Sequence, residues 1–179
     1  MANRAISKSR LKNIKLLLLD VDGVMTDGGI YYTENGDEFK KFNIQDGYGI
    51  VKWQRNGGRV GIITGRMSRI VARRAAELSI KDVFQNYENK LEAYEKILAG
   101  QRLSNKEVAY IGDDEFDLPV LERVGFSAAP CNAVEQVLKR VDYRCKRNGG
   151  SGAVREVIEL LLSAKQTKSK KSQTIKATP

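Results

Sequence analysis

Leu16-Leu17-Leu18-Leu19-Asp20-Val21-Asp22-Gly23 sets four apolar residues directly before two carboxylates. An apolar run that stops at a polar residue is the pattern of a strand buried on both faces, as in a parallel sheet covered by helices. The pattern returns twice: Val60-Gly61-Ile62-Ile63 ends in Thr64, and Val108-Ala109-Tyr110-Ile111 ends in Gly112-Asp113-Asp114. Shorter candidate strands are Val83-Phe84, Phe126 to Ala129 and Tyr143 to Cys145. Between them, apolar residues fall at helical spacing over 68–78, over 89–99 with Gly100 as a stop signal, and over 115–124, 132–140 and 152–163. Strands alternating with helices predict an α/β fold, a Rossmann-like parallel sheet flanked by helices.

One stretch breaks the rhythm. Ile30 to Thr33, Asn35-Gly36 and Glu38 to Phe42 predict a β-hairpin projecting from the sheet, with Asn35-Gly36 in a type I′ turn. A lone hairpin is marginal in water. Tyr31, Tyr32, Phe39 and Phe42 are therefore expected to pack against something, with another subunit as one candidate.

The 179 residues carry 31 Lys and Arg, 22 Asp and Glu and no His, a net charge of +9. The excess sits at the ends. Residues 1–15 hold five basic residues and no acid, residues 165–179 another five and no acid, leaving 21 of the 31 basic residues against all 22 acids over 16–164. The expected organisation is a disordered basic tail at 1–12, one domain at 13–164 and a disordered Lys-rich tail at 165–179. The tails lack interleaved aromatics, so neither nucleic acid nor a membrane is expected as the primary partner. Charge alone leaves a non-enzymatic protein binding through its tails as an alternative. The lack of His excludes His-based triads and zinc sites that need it. Cys131 and Cys145 are too few and too far apart for a Cys-x-x-Cys motif and suit a reducing compartment. No apolar run approaches the roughly 20 residues of a membrane span, and no signal core precedes Leu16, so the cytoplasm is the expected location.

Ligands of parallel α/β sheets bind beyond the carboxyl ends of the strands. Three such ends carry Asp20, Thr64 and Asp113, with Asp22, Asp114 and Asp117 close behind. Acids crowded in one crevice need a cation, and all-oxygen ligation favours a hard ion, Mg²⁺ being the usual one. Thr64-Gly65-Arg66 offers a hydroxyl, backbone N–H groups and a guanidinium, and Lys90 opens the next helix. A phosphoryl group held among these would be neutralised on every side.

At this point Asp20-Val21-Asp22-Gly23-Val24-Met25-Thr26 resembles the D-x-D-G-[VT]-x-[TV] nucleophile motif of haloacid-dehalogenase-like phosphatases. Thr64, Lys90 and Gly112-Asp113-Asp114 fall where that superfamily carries its later motifs. Within it, Asp20 to Gly28, Phe42 to Ile50, Ile62 to Arg66, Ala109 to Asp114 and Gly149 to Glu156 resemble the 3-deoxy-D-manno-octulosonate 8-phosphate phosphatases. The resemblance implies a haloacid-dehalogenase-like fold and a Mg²⁺-dependent homotetramer hydrolysing a phosphosugar in lipopolysaccharide precursor synthesis. It assigns Asp20 as nucleophile forming an aspartyl phosphate, and Asp22 as acid and base. It gives Thr64 and Lys90 the phosphoryl oxygens. The metal falls to Asp20, the Asp22 carbonyl and Asp113, with Asp114 through water. Asn43, Ile44, Gln45, Asp46, Gly47, Gly65, Arg66 and Arg74 would meet the substrate together with Asp22 and Lys90. Val51 stands where a basic residue is expected, which keeps a nonulosonate 9-phosphate as the alternative substrate. Too few residues separate the strands for an inserted lid, so a neighbouring subunit is expected to cover the site. The loop Gly149-Gly150-Ser151-Gly152, preceded by Arg147, is a candidate to reach over it.

Overall fold

The computed structural model describes residues 6–166. In chain order its elements are α1 (Lys8–Lys12), β1 (Leu16–Leu19), β2 (Tyr31–Tyr32), β3 (Glu38–Phe39), α2 (Ile44–Arg55), β4 (Arg59–Ile63), α3 (Arg69–Glu77), β5 (Asp82–Phe84), α4 (Lys90–Gln101), β6 (Val108–Ile111), α5 (Leu118–Leu121), β7 (Phe126–Ala129), α6 (Glu135–Leu138), β8 (Tyr143–Arg144) and α7 (Ala153–Gln166). Six strands form one parallel sheet in the order β5-β4-β1-β6-β7-β8. The strands predicted at 16–19, 108–111 and 126–129 appear with those bounds.

Side chains alternate across the sheet, so each strand feeds two cores. Leu17, Leu19, Val60, Ile62, Ala109 and Ile111 face one layer, where Ile50 and Trp53 of α2, Val71 and Ala75 of α3, and Val154, Val157, Ile158 and Leu161 of α7 close over them. Leu16, Leu18, Ile63, Val108 and Tyr110 face the other, beneath Tyr94 and Ile97 of α4, Val120 and Leu121 of α5 and Val137 of α6. All four leucines of β1 are fully buried, and each contributes about 1.5–3 kcal/mol by leaving water. That explains an unbroken apolar run with no polar face.

The structure corrects several expectations. Residues 8–12, expected to be an unstructured tail, form α1. Ser7 caps it, Leu11 is buried, and Arg10 pairs with Asp142 at 2.7 Å. An apolar residue and a buried acid on the body anchor it, neither of which local composition reveals. At the other end α7 runs on to Gln166; the rest of the two expected tails, residues 1–5 and 167–179, lies outside the described residues. Gly100 does not stop its helix. α4 continues to Gln101, and Arg102 takes the left-handed cap at φ 51°, where Leu103 N–H donates to the Leu98 carbonyl. The segments 115–124 and 132–140 hold only the four-residue helices α5 and α6, α5 after a 3₁₀ turn at Glu115–Asp117.

The hairpin is present as a separate two-stranded sheet with Tyr31 opposite Phe39, their rings stacked at 5.0 Å. Its turn is not type I′. Gly36 N–H donates to the Thr33 carbonyl, and only Gly36 in the turn has positive φ. The strands accordingly pair over two residues each, fewer than the pattern predicted.

Candidate active site

In the sheet β1 lies between β4 and β6, with Leu19 in register with Ile62 on one side and Ile111 on the other. Asp20, Thr64 and Asp113 thus leave three adjacent strands at one end. The chain builds outward from β1 through β4 to β5 and then returns to β6, so β1 and β6 flank the point where the winding reverses, the usual crevice of such sheets. The cleft there encloses about 580 Å³ and is lined by Asp20, Asp22, Thr64, Gly65, Arg66, Lys90, Asp113 and Asp114, with Tyr87, Glu88 and Phe116.

The turn after β1 is shaped by its own sequence. Val24, Met25 and Thr26 N–H groups all donate to the Val21 carbonyl, and Thr26 Oγ1 accepts from Gly23 N–H and Gly28 N–H. Gly23 has φ +89°, and a Cβ there would lie 2.0 Å from Asp113 Oδ2, so only glycine admits that carboxylate. The turn rests on Gly149 and Gly150. Gly150 N–H donates to the Val24 carbonyl, and a Cβ on Gly149 would sit 1.7 Å from the Gly23 carbonyl oxygen. The Gly149–Gly152 loop is therefore not an arm reaching outward; Gly149, Gly150 and Gly152 are buried, the first two beneath the turn after β1 of their own chain.

Lys90, the first residue of α4, is 7% exposed and lies 2.9 Å from Asp20 Oδ1 and 2.5 Å from Asp117 Oδ1. Asp117 is saturated. Its Oδ1 also accepts from the Tyr110 hydroxyl at 2.5 Å, and its Oδ2 accepts from the N–H groups of Asp113 and Asp114 at 2.8 and 3.2 Å. It fixes Lys90 and the Asp113 loop, with no lone pair left for an ion. Thr64 is buried and lies at the cleft wall.

Burial and the neighbouring Asp117 charge push Asp20 up to about 7 against the pull of Lys90. Burial, then Asp20 and Asp117, push Asp113 up to about 8. Burial works against the Lys90 ammonium, but the carboxylates of Asp20 and Asp117 outweigh it and hold its pKa above the ordinary value. Carboxyl oxygens of Asp20, Asp113 and Asp117 lie within 4.8 Å of one another. One ammonium does not balance three such acids, and the donors are all oxygen, so the site fits a hard divalent cation. Asp20 and Asp113 could hold it, and Asp22 and Asp114 also line the cleft.

Other expected substrate contacts lie elsewhere in this subunit. Asn43 caps α2, accepting from the N–H groups of Gln45 and Asp46 at 2.7 and 3.2 Å. Asp46 is buried and accepts from Gly152 and Arg155 N–H, which ties α2 to the start of α7. Gly47 lies under the Arg74 guanidinium, Ile44 is exposed, and Gln45 borders a separate shallow basin with Lys146, Arg147 and Arg155. Arg74 packs on the Phe42 ring and pairs with Glu77. None of these six lines the cleft of its own chain, because α2 and α3 carry them on the layer beside it. Val51 packs at the edge of the apolar core and Lys52 pairs with Glu159. Sequence reasoning missed Tyr110, read only as a strand residue, and Lys40, whose ammonium contacts Asp22. Neither has a local signal, since Tyr110 reads as one more residue of a buried strand and the partner of Lys40, Asp22, lies 18 residues away.

Comparison with known proteins agrees with this geometry. Residues 77–158 match the haloacid dehalogenase-like hydrolase family. The chain is 46% identical over 156 residues to the 3-deoxy-D-manno-octulosonate 8-phosphate phosphatase KdsC of Escherichia coli (strain K12), covering 87% of this chain and 83% of that one. It superposes with a TM-score of 0.87 and 44% identity on a crystal structure of the Yersinia pestis 3-deoxy-D-manno-octulosonate 8-phosphate phosphatase, covering 88% of this chain and 85% of that one. The TM-score is 0.86, at 41% identity and with 88% and 90% covered, for the Moraxella catarrhalis phosphatase in complex with a magnesium ion, a phosphate ion and a KDO molecule. With almost half its residues identical over most of both chains, and with the same fold, the chain belongs to the 3-deoxy-D-manno-octulosonate 8-phosphate phosphatase family of haloacid dehalogenase-like hydrolases.

Proposed function

We propose that this chain is a Mg²⁺-dependent phosphomonoesterase that hydrolyses 3-deoxy-D-manno-octulosonate 8-phosphate to the free sugar acid and phosphate, serving lipopolysaccharide precursor synthesis. The observation that carries the reading is the convergence of Asp20, Thr64 and Asp113 at adjacent strand ends, with Lys90 at the start of α4 against Asp20, in a chain 46% identical to phosphatases of that name. Asp20 attacks phosphorus and becomes an aspartyl phosphate. Lys90, already against its carboxylate, holds a phosphoryl oxygen with Thr64 as charge builds there. Asp22 protonates the leaving sugar oxygen and then takes a proton from the water that hydrolyses the acyl phosphate. Bound magnesium would be held by Asp20, the Asp22 carbonyl and Asp113, with Asp114 through water, and would supply charge neutralisation to the phosphoryl group. Arg66, at the cleft wall, suits the sugar carboxylate through its planar fork.

The cleft is open, and no inserted lid exists among the described residues. Ile30, Tyr32 and Phe39 are exposed on the hairpin. These features support a homotetramer in which a neighbouring subunit covers the site, bringing Asn43 to Gly47 or Arg74 to a substrate bound in another chain. No helix among the described residues is long and apolar enough to cross a membrane, which is consistent with a cytoplasmic enzyme. The test is phosphate release from α-keto sugar phosphates, with and without Mg²⁺. Metal-dependent turnover of the octulosonate 8-phosphate, preferred by kcat/KM over a nonulosonate 9-phosphate and abolished in Asp20→Asn, is the expected result. Full activity in Asp20→Asn defeats the reading.

A further inference from the structure

The hairpin carries a charge chain that the phosphoryl-transfer machinery does not account for. Lys40, just beyond β3, sets its ammonium on the Asp22 carboxylate and lies 3.4 Å from Glu38 Oε1, with its side chain 1% exposed. Glu38 in turn accepts from Arg66 Nη2 at 2.9 Å. Asp22 and Arg66 are both cleft residues. The four groups therefore alternate in sign from the acid at one wall to the guanidinium at the other. A hairpin lysine ordinarily extends its ammonium to water. Burying one costs several kcal/mol unless it is well paired, so this one is held inward by two carboxylates rather than left there by chance. The hairpin itself has two residue pairs of ladder, too little to hold its place alone.

We propose that Lys40 and Glu38 are positioning residues that fix Asp22 and Arg66 relative to each other, so that a substrate whose acid group sits on Arg66 presents its ester oxygen to Asp22. The inference deepens the phosphatase reading and rests on it. Lys40 has one rotamer-locking contact with Asp22 and a second with Glu38, and Glu38 orients the Arg66 fork. Loss of Lys40 frees Asp22 for every substrate. Loss of the Glu38 charge frees Arg66, which matters only to substrates that carry an acid group. Binding energy at the remote carboxylate is thereby converted into alignment at phosphorus.

The test uses full-length Lys40→Met, Lys40→Arg and Glu38→Gln with Mg²⁺, on the octulosonate 8-phosphate and on a neutral sugar phosphate, arabinose 5-phosphate. Misplacement of a reacting group by about 1 Å costs on the order of 100-fold. Lys40→Met is therefore expected to lose about 100-fold in kcat on the octulosonate with KM changed by less than about 3-fold, and Lys40→Arg to regain about 10-fold. Glu38→Gln is expected to narrow the kcat/KM preference for the acid-bearing ester by about 10-fold. In a crystal structure of Lys40→Met, Asp22 and Arg66 adopt new rotamers. A kcat within about 3-fold of the parent in Lys40→Met overturns the proposal, as does a Lys40→Arg no better than Lys40→Met, or a variant structure with Asp22 and Arg66 unmoved. A parent protein that hydrolyses neither ester defeats the phosphatase reading instead, and the crystal structure then decides the positioning claim alone.

Discussion

Gly149→Ala puts a methyl group where the structure has the backbone of the turn after β1. The added Cβ would meet the Gly23 carbonyl oxygen at 1.7 Å, the Gly23 carbonyl carbon at 2.5 Å and the Thr26 carbonyl oxygen at 3.0 Å. All three are main-chain atoms, so no side-chain rotation relieves the contact. Carbon–oxygen contacts in proteins begin near about 3.3 Å, so the two segments must part by roughly 1.5 Å. The Gly149 side is tied to Asn132 by a 2.9 Å hydrogen bond, and Gly150 to Val24 by one of 3.0 Å. The displacement therefore falls in part on residues 22–26, which carry Asp22 and bear on Asp113 through Gly23. Moving a catalytic group by about 1 Å costs on the order of 100-fold, about 2.7 kcal/mol of transition-state stabilisation. Steady-state phosphate release should show that loss mainly in kcat. Far-UV circular dichroism and the melting temperature establish that the protein measured is folded. A folded Gly149→Ala with kcat within about 3-fold of the parent refutes the claim that this loop supports the turn after β1.

Three further outcomes follow from the same geometry. Mg²⁺ at about 100 times its Kd should stabilise the protein by about 2.7 kcal/mol; differential scanning fluorimetry is expected to show that rise in melting temperature and its loss in Asp113→Asn. Tyr110→Phe removes a buried hydroxyl hydrogen bond to the Asp117 carboxylate, worth about 1.5–3 kcal/mol, and urea unfolding should show that deficit with an unchanged m-value. Glu107 is held down at about 2, first by Lys15 and then by the Ser104 N–H and hydroxyl. A depressed carboxylate contributes stability above its unfolded pKa and loses it as pH falls through the folded one. The stability advantage of the parent over Glu107→Gln should therefore be full above pH 5 and vanish towards pH 2, read from chemical denaturation at each pH.

Much of the sheet was legible because burial on both faces leaves a local mark. Leu16–Leu19, Val108–Ile111 and Phe126–Ala129 are uninterrupted small or apolar runs, and strands with no solvent face have no reason to alternate. The candidate site residues were legible for a related reason. Asp20, Thr64 and Asp113 each end such a run, and the end of a run marks the rim of the sheet. Strand order was not legible. That β1 sits between β4 and β6, which alone makes three acidic or polar ends into one site, depends on pairings between residues more than 40 positions apart. Lys90 likewise reaches Asp117 from α4, 27 positions away, whereas the other three donors to that carboxylate, Tyr110, Asp113 and Asp114, lie within seven residues of it.

What the sequence left open shares one cause. Asn43, Asp46 and Arg74 are polar residues of the kind that binds substrates, and the structure adds the local partners of each: Asn43 caps a helix, Asp46 joins α2 to α7, and Arg74 covers Phe42. The glycines of 149–152 suggested freedom, and the structure uses two of them for close approach. Local pattern registers whether a residue is apolar, charged or small, because those properties act over one turn or one pleat. Which group satisfies a buried carboxylate, or which backbone lies against a missing Cβ, is settled only when distant segments are pressed together, since hydrogen bonds and van der Waals contacts act over a few ångströms of space and are blind to distance along the chain.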